Sequence, residues 1–113
     1  MDWTIYHNPK CVKSRETLAL LKKRGVSPGI VEYLKTPPDA STIRGLIKKL
    51  GLPAAALVRR KEPVFATLDL DLADEPAVVR ALAAHPILIE RPIVVRGDKA
   101  VLGRPPENIE QLV

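Results

Sequence analysis

Short apolar runs and longer amphipathic stretches alternate along the chain, and the spacing within each predicts its form. Trp3 to Tyr6 is a β-prone run, closed by the Asn8-Pro9 turn signal. The segment SRETLALLKKRG then sets Leu18 and Leu21 one turn apart. Lys22, Lys23 and Arg24 follow where a helix dipole favours cations, and Gly25 stands ready to cap the end. Ile30 to Leu34 predicts a second strand, which must end before Pro37-Pro38. Asp39 reads as an N-cap for a helix that carries Ile43, Leu46, Ile47 and Leu50 at helical spacing and stops at Gly51.

The stretch from Ala54 to Pro86 is helix-prone, with Pro63 and Pro76 as punctuation, and predicts two or three short helices ending near His85. Pro92 to Val95 and Lys99 to Leu102 predict a hairpin around Gly97-Asp98, and ENIEQLV a last short helix. The order is βαβ, a helical block, ββ and α, which makes an α/β sandwich on one mixed sheet. An active cleft is expected at the carboxyl ends of its parallel strands, and Cys11 falls there.

Composition narrows the classes. A chain of 113 residues with 46% hydrophobic positions holds one domain with a real core. A single cysteine excludes both a disulfide scaffold and a cysteine-cluster metal site, and suits a reducing cytoplasm. His85 belongs to no metal-ligand spacing, so no metal site is expected. The opening MDWTIYHNPK lacks a signal-peptide core and no later run approaches a membrane span, so neither export nor membrane insertion is expected. The net charge of +5 would attract nucleic acid, anionic membrane or a small anion alike. The basic residues are scattered rather than set in a strip with aromatics, which argues against nucleic acid.

Cys11 opens a predicted helix, where the dipole and unpaired N–H groups lower a thiol pKa. Ser14, one turn on, can aim its hydroxyl at the sulfur, while His7, Lys10, Lys13 and Arg15 add nearby positive or potentially positive groups. Asn8 can shape the loop through side-chain to backbone bonding. A dithiol oxidoreductase would need a second cysteine where Ser14 stands, and a cysteine phosphatase loop an arginine where Thr17 stands. What remains is a monothiol whose covalent intermediate must be released by an outside thiol.

The segments YHNPKCVKSRETLALLKKRGV, EYLKTPP, HPILIERPIVV and GRPPE, in that order, closely resemble the glutaredoxin-linked arsenate reductase family over nearly the whole chain. The resemblance implies a thioredoxin-like fold in residues 1–113, with a helical insertion at about 39–85. It implies that the Cys11 thiolate attacks arsenate, that glutathione as co-substrate converts the adduct to an arsenic–glutathione species, and that glutaredoxin helps complete reduction to arsenite. No bound cofactor is expected. Three oxyanion-binding arginines map onto Arg59, Arg91 and Arg104, with Arg60 beside the first and Arg15 as a further candidate, and Pro92 is expected to follow a cis peptide. Guanidinium groups suit the task because they bind tetrahedral oxyanions through paired charge-assisted hydrogen bonds. The resemblance also supports His7 as an imidazolium that steadies the thiolate.

Two other readings compete. A glutathione-dependent monothiol oxidoreductase would keep the thiol and change the substrate. A non-catalytic regulator that binds RNA polymerase, from a related thioredoxin-like family, typically carries C-x-x-C, which CVKS does not reproduce.

Overall fold

A computed structural model describes residues 2–113, which divide into two compact units. One runs to Thr36 and resumes with Arg91–Val113, and the other is Pro37–Glu90.

The first unit holds β1 (Trp3–His7), α1 (Val12–Lys23), β2 (Gly29–Glu32), β3 (Ile93–Arg96) and β4 (Lys99–Leu102), closed by a 3-10 helix at Pro106–Gln111. The sheet order is β2-β1-β3-β4, with β1 parallel to β2 and antiparallel to β3, and β3 antiparallel to β4. This is the mixed four-stranded sheet that the pattern predicts. Ile5 lies opposite Val94 and Val94 opposite Val101, so one face of the sheet presents a continuous apolar row. Against it pack Leu21 of α1 and Ile109 and Leu112 of the closing segment.

Local chemistry ends the elements where expected. After α1, Gly25 takes φ +79°, and the N–H groups of Gly25 and Val26 donate to the carbonyls of Lys22 and Leu21. Only a residue at ease in the left-handed region closes a helix in that way. Between β3 and β4, Arg96 pairs with Lys99 across the two-residue turn Gly97-Asp98, with Gly97 at φ +63°.

Three elements depart from expectation. β2 stops at Glu32 rather than Leu34: the N–H groups of Lys35 and Thr36 both donate to the Glu32 carbonyl, and the turn carries the Tyr33 ring into the interior. β3 starts after Pro92, which has no N–H for the ladder. The closing segment is a 3-10 helix: Pro105 and Pro106 remove two N–H donors, and Asn108 donates back three residues to the Pro105 carbonyl.

The second unit is helical: α2 (Ala40–Leu50), a 3-10 turn (Ala54–Leu57), α3 (Pro63–Leu68), α4 (Glu75–Ala84) and a 3-10 turn (Pro86–Leu88). Asp39 caps α2 by accepting from the Thr42 N–H at 2.8 Å, and Gly51 ends it at φ +66°. Ile43, Leu46, Leu57, Val78, Leu82 and Leu88 are buried. Near its end the chain is stitched by two backbone bonds, Arg59 N–H to the Leu88 carbonyl at 2.8 Å and Glu90 N–H to the Leu57 carbonyl at 2.7 Å. Among the described residues no helix is long and apolar enough to cross a membrane.

Candidate active site

The chain leaves β1 at His7, turns through residues 8–11 and enters α1, so Cys11 sits at the carboxyl end of a parallel strand and caps the helix. The turn is tied at each step. Cys11 N–H donates to the Asn8 carbonyl at 3.0 Å, Lys10 N–H donates to Asn8 Oδ1 at 3.0 Å, and an Arg15 guanidinium N–H reaches the Pro9 carbonyl at 2.9 Å. Asn8 therefore shapes the loop as expected, and Arg15 acts as its strut.

The inner face of α1 differs from the predicted Leu18/Leu21 stripe. Ser14, Thr17 and Leu21, at helical spacing, are fully buried, while Leu18 is partly exposed. His7 shares a sheet face with Ile5 and so turns beneath α1, where its Nδ1 lies 2.6 Å from Ser14 Oγ. Asn8 N–H donates to the same oxygen at 3.1 Å. The hydroxyl therefore accepts from Asn8 and shares a hydrogen bond with the imidazole. What Ser14 offers Cys11 is its backbone N–H.

His7 is also held below its ordinary pKa. Burial is the chief cause; the nearby Glu32 carboxylate opposes it, and Lys22 and Arg15 reinforce it. The shift favours the neutral imidazole, where an imidazolium was expected, and His7 meets the thiol loop through its hydrogen bond with Ser14.

Cys11 is partly exposed. Burial pushes its thiol up, but the Ser14 backbone N–H, the hydrogen bond and charge of the Arg91 guanidinium, and the Lys13 backbone N–H together outweigh it. The thiol is held below its ordinary value. Arg104 approaches from another loop, with Nη1 3.9 Å from Cys11 Sγ and 3.3 Å from the Arg91 carbonyl, to which it donates. Arg91 and Arg104 thus converge on one sulfur. Each precedes a cis proline: Arg91–Pro92 was expected, and Arg104–Pro105 was not.

Three residues that local sequence patterns did not single out fix this frame. The Thr17 hydroxyl bonds the carbonyls of Lys13 at 2.7 Å and Gly103 at 3.2 Å. Gly103 donates to the Pro92 carbonyl at 2.9 Å, and a Cβ there would meet Pro92 Cγ at 2.7 Å and Thr17 Oγ1 at 2.7 Å. Asn108 Nδ2 bonds the carbonyls of Leu102 at 2.9 Å and Arg104 at 3.2 Å. A glycine at a strand end is the one sequence signal of such a close approach.

Arg59 belongs to the second unit. Its guanidinium is paired with Glu62 at 3.2 Å and Glu90 at 3.3 Å, and all three side chains are about four-fifths buried. Arg60 is exposed in the following turn. Among the described residues no three His, Cys, Asp or Glu side chains gather as a metal would require.

A nucleophilic thiol under two guanidinium groups can bind a tetrahedral oxyanion and attack its central atom. The sequence profile of the ArsC family matches residues 6–112. YfgD, an uncharacterized protein of Escherichia coli K12, is 52% identical over 114 residues, covering 96% of this chain and 94% of its own. An arsenate reductase of Neisseria meningitidis serogroup A is 47% identical over 112 residues, 96% of each chain. The solved structure of an arsenate reductase from Vibrio cholerae superposes with a TM-score of 0.93 at 44% identity, covering 100% of this chain and 98% of that one.

Proposed function

The chain belongs to the ArsC family and has its thioredoxin-like fold, and from that premise we propose that it is an arsenate reductase in which Cys11 is the nucleophile and glutathione and glutaredoxin supply the outside thiols. One observation carries the reading: the lone thiol, held below its ordinary pKa, faces the guanidinium groups of Arg91 and Arg104.

Arsenate near neutral pH is a mono- or divalent anion, and a thiolate approaching it meets like charge. Arg91 and Arg104 offset that repulsion and hold the oxygens while sulfur attacks arsenic and one oxygen leaves as water. Arg59, with Arg60 beside it, is the third oxyanion ligand implied by family membership; to serve, it must share its charge with Glu62 and Glu90. The Cys11–S–As adduct holds arsenic as As(V). Reduction to arsenite takes two electrons, which two thiols release as they become a disulfide. With one cysteine in the chain, the second thiol must come from outside. Glutathione fits that part, and glutaredoxin returns Cys11 to the thiol. The cycle suits a reducing cytoplasm and calls on no metal.

With glutathione, glutaredoxin and a reductant present, the purified chain is expected to form arsenite, and Cys11→Ser to fold and form none. Turnover with thioredoxin in place of both donors would overturn the choice of donor. A wild-type chain that forms no arsenite yet strips glutathione from a mixed disulfide would overturn the choice of substrate.

A further inference from the structure

We propose that Asn108 is a positioning residue that holds Arg104 over the sulfur of Cys11. Arg104 is exposed, and a long exposed side chain reaches one place only if its own backbone is fixed. The loop that carries it leaves β4 and enters the closing 3-10 helix, and the Gly103 N–H ties it to the Pro92 carbonyl. Its own carbonyls are met by side chains. Asn108 Nδ2 takes those of Leu102 and Arg104, at 2.9 and 3.2 Å, and Thr17 takes the one between them, at 3.2 Å. An amide nitrogen has two N–H groups, which is what bridging two carbonyls requires, and neither a carboxylate nor an aliphatic side chain can replace it. From that anchored backbone the Arg104 guanidinium meets the Arg91 carbonyl and lies 3.9 Å from Cys11 Sγ.

The inference rests on Cys11 as the nucleophile and not on arsenate as the substrate, so its test leaves arsenate aside. Cys11 is alkylated in parallel by iodoacetate, an anion, and by iodoacetamide, its neutral counterpart. The ratio of the two rates reports positive charge over the sulfur, while the iodoacetamide rate reports the thiol itself. Arg104→Ala and Asn108→Ala are each expected to lower the ratio about fivefold, the effect of a unit charge near 4 Å in a water-like dielectric. The double variant should fall no further, because the second change removes a support for a charge already gone. At a pH well above the thiol inflection, where Cys11 is already thiolate in every variant, the iodoacetamide rate should hold. Should Asn108→Ala fail to fold, Asn108→Leu keeps the volume and removes both donors. Effects that multiply, an unchanged ratio in either single variant, or a fall in both rates together would overturn the assignment. A chain inactive on arsenate would leave the result standing.

Discussion

Arg91 and Arg59 are the same kind of side chain put to different uses in the two units. Arg91 turns its hydrogen bond and charge on a thiol and lowers its pKa. Arg59 is held between two carboxylates at 3.2 and 3.3 Å. The first raises the reactivity of a neighbour; the second is largely neutralised where it stands. Arg59 shares its charge with two carboxylates before any anion arrives, whereas Arg91 directs its own at the sulfur that must react.

Breaking the stronger member should show most. Arg91→Ala removes both a thiolate partner and an oxyanion donor, and kcat/KM for arsenate is expected to fall about a hundredfold, the cost of deleting one preorganised donor. Arg91→Lys keeps charge without the planar fork and should recover only part of that loss. Steady-state kinetics on the two variants checks both.

Next comes the frame that brings Arg91 and Arg104 to one sulfur. Gly103→Ala would set a Cβ 2.7 Å from both Pro92 Cγ and Thr17 Oγ1, and thermal or urea unfolding should record a loss of about 1–3 kcal/mol, as for other overpacked interiors. A stable Gly103→Ala chain would mean that the loop yields freely and that its geometry is not what places the arginines.

The smallest effect is expected at Arg59. Arg59→Ala should raise the KM for arsenate several-fold, well short of Arg91→Ala, because its charge is already shared. Glu62→Gln sharpens the contrast in the other direction: releasing one carboxylate should lower KM. A larger loss from Arg59→Ala than from Arg91→Ala would reverse the ranking of the two regions.

Much of the scaffold was legible because its signals are local. Asp39 as a cap, Gly51 and Gly25 at helix ends, and the Gly97-Asp98 turn each act within a few residues, and each stands where the pattern set it. The placement of Cys11 was legible for the same reason, since its turn and helix start are contiguous. Ser14 and Thr17 were harder: hydroxyls read as polar, yet here they line the buried side of α1 because His7 and Asn8 N–H partner the Ser14 hydroxyl and the Gly103 carbonyl accepts from Thr17. The charge state of His7 depends on burial that no neighbour in sequence reveals. Tyr33 shows the converse, an aromatic in a β-prone run that leaves the strand to fill the interior. Gly103 meets Thr17 across a separation that only the folded chain closes, while Asn108 bonds carbonyls four and six residues back with no turn or period in the sequence to mark it.

The central claim is that the Ser14 backbone N–H and Arg91 together turn a lone thiol into a nucleophile, and the pH dependence of Cys11 alkylation tests it most directly. Thiolate is the reacting form, so the rate rises with pH through the thiol pKa. The expected result is an inflection below the ordinary thiol value in the wild-type chain, moving upward in Arg91→Ala as burial is left with less to oppose it. An inflection at or above the ordinary value, or one that Arg91→Ala leaves in place, would contradict it.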